Sequence, residues 1–371
     1  MKIMIVIDSL GTGGAEKSMV VYAKFLKKES HDVIFICRDK REVSYEEEVR
    51  KFGINIRFLQ NKGLFSKVHE LSTHIEEFKP EIIHSVLVSS NILVRLSRSF
   101  TKKGKVIQSL VNTPYSQERK KDSRLSWQKF LLAKQFDLWT ARLYPSFYHS
   151  ITETVLDHYR PIYRIKNNYQ IIFRGRNENK NLKMDKGNHR FTLINVGRQE
   201  FAKGQIILLK ALKYLETEYG ITEIYLKILG FEGKCSKNLQ DFVLKAELQD
   251  RVQIPGFVKN VEEELSKSSV FVFPSYYEGL GGALIEAFAA QLPCICSDLP
   301  VLREVVGDEK GALFCAPGDF KCLAEQILKL YNNKDLRDSL SQYSYSRFKK
   351  AFQLNAINKQ MFGMYKRVLK A

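Results

Sequence analysis

Val270–Ala290 reads VFVFPSYYEGLGGALIEAFAA. Its opening, Val270–Pro274, is a short apolar run of the kind that fills a strand covered on both faces. Gly279, Gly281 and Gly282 then open a helix, whose unpaired N–H groups and dipole face whatever Glu278 faces. Strand, glycine turn and helix in direct succession form the unit of a parallel α/β sheet. Seven residues separate Glu278 from Glu286. A carboxylate beside a helix N-terminus can accept hydrogen bonds from sugar hydroxyls, and one lying a turn deeper can clasp a ribose diol. The plainer readings are a helix N-terminal acid for Glu278 and a solvated helix face for Glu286. Neither explains three glycines between them.

The same beat extends in both directions. Ile3–Ile7, Asp32–Cys37, Ile54–Leu59, Ile82–Val86 and Val106–Val111 read as short buried strands, with amphipathic stretches such as Glu16–Lys28 and Leu64–Phe78 between them. The pattern resumes with Phe191–Val196, Tyr225–Leu229, Val252–Ile254, Val270–Pro274 and Pro293–Ser297. This predicts two doubly wound α/β domains with parallel sheets. The polar stretch Asn177–Arg190 divides them, so the domains are expected at 1–180 and 188–350. A closing helix over Ser346–Leu369, within 346–371, can pack on either one. The 371 residues agree with two domains of roughly 100–200 residues each.

Three further loops carry chemistry. NVGRQEFAKG, Asn195–Gly204, follows a strand and puts Arg198 and Lys203 at a sheet's carboxyl edge, where two cations can neutralise a diphosphate. In QIPGFV, Gly256 and Phe257 offer backbone and an aromatic ring to a flat base, although a plain loop explains them equally well. SLGTGGAEKS, Ser9–Ser18, places Gly13 and Gly14 at a strand–helix turn suited to a phosphate or sugar. Glu16 stands where both the dinucleotide fingerprint and the G-x-x-x-x-G-K-[ST] phosphate loop require glycine, so neither motif is present.

Together with the stretch PCICSDLPVLREVVGDEKGALFCAPGD (Pro293–Asp319), these motifs resemble the family-4 glycosyltransferases of the GT-B fold over essentially the whole chain. The resemblance implies two Rossmann-like domains facing a cleft, with a UDP- or GDP-sugar held mainly by the second. It also implies retention of anomeric configuration, with no metal and no other cofactor. Arg198 and Lys203 match the diphosphate-binding pair. Glu278 matches the acid that holds the donor sugar, Gly281 and Gly282 the phosphate-side backbone, and Glu286 the ribose clasp. Gly13 and Gly14 match the first-domain loop near diphosphate and acceptor. Where relatives often carry a histidine near the reaction centre, this chain has Asn112, which cannot take a proton near neutral pH. His84 keeps one histidine of a family pattern, either as an acceptor-side group or as a structural one. Arg174 and Arg176, in FRGR, replace a common Asn-Gly and suit an anionic acceptor or a basic corner.

The net charge of +18, from 59 Lys and Arg against 41 Asp and Glu, calls for an anionic partner. Much of the excess lies in Arg95–Lys129, a candidate contact for an anionic membrane surface. The aromatic-rich helix that follows, from Trp127 to Leu143, reads either as membrane-facing or as an ordinary core helix. No apolar run reaches the roughly 18–20 residues of a membrane span. The six cysteines include no C-x-x-C pair, so buried thiols are expected rather than a zinc site or disulfide framework. A cytoplasmic protein, peripheral on the inner membrane face, is expected, acting on a lipid-linked or glycan acceptor in surface polysaccharide assembly. The alternatives are a nucleotide-sugar epimerase or hydrolase on the same fold and, more distantly, a basic nucleic-acid-binding protein. The last lacks any RNP-like, KH or zinc-finger signature, so no nucleic-acid partner is expected.

Overall fold

The structure, a computed structural model, describes residues 1–121, 126–178 and 190–371. Most of the expected linker, 179–189, therefore lies outside the described residues. The chain divides into two compact units. One comprises Met1–Ser116, Ser123–Gly175 and Asn355–Ala371, and the other Gln117–Asp122 and Arg176–Leu354.

The first unit is built on seven parallel strands: β1 (Lys2–Ile7), β2 (Asp32–Cys37), β3 (Asn55–Phe58), β4 (Ile82–Val86), β5 (Lys105–Leu110), β6 (Phe147–Ser150) and β7 (Tyr169–Ile171). Their order is β3-β2-β1-β4-β5-β6-β7. Period-two side-chain alternation sends Ile3, Ile5 and Ile7 to one face, against Met19 and Ala23. Met4 and Val6 go to the other, against Leu71, Ile75 and Leu93. Both faces of β1 are thus buried, which is why its sequence is continuously apolar. β6 ends at Ser150. Thr152 caps the next helix, its side chain accepting from the Val155 N–H at 3.0 Å.

The end of the chain differs from a single closing helix. One helix spans Lys334–Ala351 and a second Leu354–Lys370, with the break at Phe352–Gln353. The second belongs to the first unit, where Ile357, Met361, Met364 and Tyr365 enter the core beside Tyr22 and Ala23.

The second unit is built on β8 (Thr192–Val196), β9 (Tyr225–Leu229), β10 (Val252–Gly256), β11 (Val270–Phe273), β12 (Cys294–Ser297) and β13 (Leu313–Cys315), all parallel, in the order β10-β9-β8-β11-β12-β13. In each sheet the winding direction reverses once, between β1 and β4 and between β8 and β11. Open α/β sheets bind ligands outside the carboxyl ends of strands at such reversals. The Ser9–Ser18 loop follows β1, and the loops carrying Lys203 and Glu278 follow β8 and β11. All six cysteines are free thiols, four of them buried.

Candidate functional site

The β8 and β11 loops are fastened to each other. Asn195 Nδ2 donates to the Val272 carbonyl at 2.8 Å, and Gln205 Nε2 donates to Asn195 Oδ1 and to the Gly197 carbonyl. Gly204 has φ +61, and a Cβ there would lie 1.9 Å from the Pro274 carbonyl oxygen. Only glycine lets the loop close on the end of β11. The Tyr276 N–H donates to the Ala202 carbonyl, and the Phe201 ring stacks on Tyr276 at 4.6 Å between centroids.

This fastening brings Lys203 to Glu278. Lys203 Nζ lies 2.6 Å from Glu278 Oε1, and Ser275 Oγ donates to the same oxygen at 2.8 Å. Among the described residues Glu278 Oε2 accepts nothing, so one carboxylate oxygen is held and the other can receive a ligand hydroxyl. Lys203 Nζ also sits 5.5 Å from the centre of the Phe273 ring. Arg198, on the same loop, is exposed and has no ion-pair partner among the described residues. Gly281, with φ +83, caps the helix Gly282–Ala289, whose free N–H groups open on the same carboxyl edge. Lys203 and Arg198 share the loop after β8, and Glu278 and the Gly281–Gly282 helix terminus share the segment after β11. This arrangement of cations, acid and free N–H groups is chemically able to take a phosphate-bearing ligand with hydroxyl groups.

At the end of β10, Gly256 turns the chain with φ +78. The exposed Phe257 ring stacks on Phe231, their centroids 4.4 Å apart. Phe231 backs the Phe257 ring on one face and had no signal of its own in the sequence.

The family pattern described as Glycosyl transferases group 1 matches residues 176–347, and that of Glycosyltransferase Family 4 matches residues 12–179. The chain belongs to the family-4, group 1 glycosyltransferases of the GT-B fold. This glycosyltransferase is 28% identical over 186 residues to the capsular polysaccharide biosynthesis glycosyltransferase CapM of Staphylococcus aureus, a match spanning 49% of this chain and 48% of CapM. The chain thus spans about half the length of that relative. It is 24% identical, over 94% of its length and 95% of the relative's, to a Campylobacter jejuni N-acetylgalactosamine-N,N'-diacetylbacillosaminyl-diphospho-undecaprenol 4-alpha-N-acetylgalactosaminyltransferase. Its fold superposes on Anabaena HepE in complex with UDP with a TM-score of 0.85 at 15% identity, covering 99% of this chain and all of that one.

One residue of this glycosyltransferase departs from its expected place. Arg176, expected on the acceptor side, instead pairs with Glu286, its Nε 2.8 Å from Oε1. A Cβ on Gly282 would meet Arg176 Nη2 at 2.4 Å, so the guanidinium lies directly against the helix terminus. A cation there is unfavourable alone, and Glu286 offsets it. The Arg176 backbone is held at both ends, its N–H donating to the Phe352 carbonyl and its carbonyl accepting from the Leu354 N–H.

His84 takes the structural of its two readings rather than the acceptor-side one. It is fully buried in the middle of β4, paired on one side with β1 and on the other with β5, and so is not an acceptor-facing group. His149 Nε2 lies 2.9 Å from the Ile172 carbonyl, which can only accept, and this fixes a run of bonds. His149 Nε2–H donates to Ile172, and the Ser109 hydroxyl donates to His149 Nδ1 at 2.8 Å. His84 Nε2–H donates to Ser109 Oγ at 2.7 Å, and the Tyr365 hydroxyl donates to His84 Nδ1 at 2.6 Å. The run ties β4, β5 and β6 to the final helix. Burial pushes the His84 pKa well below its usual value and holds His149 down at about 4. The charge of half-buried Arg174 acts in the same direction on both.

In the first unit Asn112 lies half-buried, two residues beyond the end of β5. Gly13 caps the helix Gly14–Lys28, and the Glu16 carboxylate folds back over it, within 2.3 Å of where a Cβ would stand. The space beside Gly14 is open. The basic stretch Arg95–Lys129 is not one surface patch. Arg95 is fully buried against Asp137, and Arg98 donates to the carbonyls of Lys102 and Lys103. Residues 122–125 of the stretch lie outside the described residues.

Proposed function

We propose that this glycosyltransferase moves a sugar from a UDP-sugar to a lipid-linked or glycan acceptor, with retention, in the assembly of a cell-surface polysaccharide. The observation that carries the reading is the Lys203–Glu278 pair at the β8/β11 reversal, beside Arg198 and the Gly281–Gly282 helix terminus. Lys203, Arg198 and the terminus take up charge on the departing diphosphate, while Glu278 holds the donor sugar through its free oxygen. Glu286 receives the ribose hydroxyls, and Phe257 with Phe231 provides a face for the base. Asn112 cannot take a proton near neutral pH, so the acceptor proton passes to the leaving diphosphate. The acceptor oxygen bonds to the anomeric carbon as the bond to phosphate breaks on the same face.

The nucleotide in HepE supports UDP over GDP, and the Campylobacter relative supports a polyprenyl-diphosphate acceptor. CapM supports a capsule-like product. In this reading residues 188–350 hold the donor, residues 1–180 present the acceptor, and the enzyme works peripherally at the cytoplasmic membrane face. Two cations and a helix dipole perform the neutralisation, so no metal takes part. A thermal-shift panel of UDP-, GDP- and ADP-sugars tests the donor, since a ligand of the native state raises its apparent stability. UDP-sugars should raise the melting temperature with or without EDTA. A flat response to every nucleotide-sugar would sink the reading, and turnover without an acceptor would favour an epimerase or hydrolase.

A further inference from the structure

Helix Gly282–Ala289 of the second unit begins against the usual rule. Helix N-termini favour an oxygen-bearing cap and acids in the first turn. Here the cap, Gly281, makes no side-chain hydrogen bond, and the first turn carries no acid. A cation stands there instead. Arg176 Nη2 lies 2.4 Å from where a Gly282 Cβ would be, so a side chain at 282 would displace the guanidinium. One turn further in, about 6 Å along the axis, Glu286 Oε1 accepts from Arg176 Nε at 2.8 Å. Both side chains are mostly buried, Arg176 at 13% exposed and Glu286 at 21%.

The backbone of Arg176 is pinned. Its N–H donates to the Phe352 carbonyl at 2.9 Å, and its carbonyl accepts from the Leu354 N–H at 3.0 Å. Arg176, Gly282, Glu286, Phe352 and Leu354 all belong to the second unit. Three charges therefore follow one another along the helix: the positive terminus, the guanidinium and the Glu286 carboxylate. A phosphate drawn to the terminus would meet Glu286 as a like charge one turn away, and Arg176 stands between them. A guanidinium has five donors in a planar fork, so it can hold a carboxylate through Nε and offer Nη to a phosphate. A carboxylate has about four acceptor positions, so the bond to Nε does not exhaust Glu286.

We propose that Arg176 is a positioning residue of the donor site, which lets a ribose-binding carboxylate and a diphosphate share one turn of helix. It aims Glu286 at the ribose hydroxyls and screens that carboxylate from the phosphates at the Gly281–Gly282 terminus. The inference rests on the donor reading above, in which Glu286 takes the ribose and the terminus the diphosphate. Its consequence is specificity: Arg176 makes the site read a ribonucleoside diphosphate in preference to its 2′-deoxy counterpart.

Calorimetric titration of the full chain with UDP, 2′-deoxy-UDP and uridine tests this. The wild-type protein should prefer UDP to 2′-deoxy-UDP about tenfold. Arg176→Gln should weaken UDP about tenfold or more and narrow that preference to about threefold or less. Arg176→Lys keeps the charge without the fork and should fall between the two. Arg176→Gln with Glu286→Gln removes the unscreened carboxylate, so UDP binding should recover several-fold over Arg176→Gln alone. Uridine carries no phosphate, and its binding should not recover. A double variant that binds UDP no better than Arg176→Gln, or that recovers uridine equally, would overturn the proposal, because the pair would then serve structure alone. Absence of UDP binding by the wild-type protein would instead overturn the donor reading on which the proposal rests.

Discussion

Replacing Lys203 by Ala perturbs structure and chemistry together at the centre of the site. Glu278 is only 9% exposed and has Lys203 Nζ 2.6 Å from one oxygen. Without the lysine that oxygen keeps Ser275 Oγ alone. Losing a charge-assisted bond to a largely buried acid costs about 2 kcal/mol. For a unit of this size that is a fall of roughly 4–8 °C in melting temperature. Removing one charge that stabilises a departing group costs about 100- to 1000-fold in kcat. Both losses are expected in Lys203→Ala, so the single variant cannot separate them. Lys203→Met with Glu278→Gln removes both charges and leaves a neutral pair of similar shape, which restores stability to within about 1 kcal/mol. Turnover should remain at least about 100-fold down, because the diphosphate still lacks its cation. The assay is release of nucleoside diphosphate from saturating donor, with thermal unfolding followed in parallel. If the double variant recovers both stability and turnover, the ion pair serves only to hold two loops together and the proposed role of Lys203 is wrong.

Three further outcomes follow from the geometry. Arg176→Ala should raise the donor KM about tenfold while leaving kcat near wild type, with partial recovery in Arg176→Lys; an unchanged KM would show that Glu286 does not need the guanidinium. His149 has a folded pKa of about 4 against an ordinary 6.5, so the unfolded chain binds the proton first as pH falls. Its contribution to stability is therefore complete above the ordinary value and declines from about pH 6.5 towards 4. Amide exchange in β5 and β6 should show that His149→Gln loses about 2 kcal/mol less than wild type between pH 7 and pH 5, and equal losses would contradict this. Asp137→Asn leaves Arg95 buried beside a neutral group and should destabilise the first unit by about 3–5 kcal/mol in chemical unfolding; a cost near zero would show that this pair does not fix helix Trp127–Leu143.

The fold was legible because each βα unit has a local signature. Val270–Ala290 states strand, turn and helix in one line, and Gly204 and Gly281 stand where the backbone takes positive φ. That Lys203 and Glu278 serve one site was implied by the resemblance; their pairing rests on β8 and β11 being neighbours, which is a matter of sheet order and not of local sequence. What escaped depends on distant chain. His84 reads equally as an acceptor-side or a structural group, and what covers it is Tyr365, 281 residues away. Arg176 finds Glu286 across 110 residues. β7 and β13 are three residues each, too short to register as apolar runs. Helix Trp127–Leu143 was ambiguous because it is apolar on most sides, and its orientation is set by one buried aspartate, Asp137, whose partners Arg95, Tyr115 and Tyr163 lie outside it.

The most direct test of the account is the anomeric configuration of a transferred sugar. Incubation of the enzyme with an α-linked UDP-sugar and a polyprenyl-diphosphate-linked saccharide, followed by proton NMR of the product, should show a new α-glycoside and free UDP. A β-linked product would contradict the same-face mechanism, and an absence of transfer from any nucleotide-sugar would contradict the reading of Lys203, Glu278 and Arg198 as a donor site.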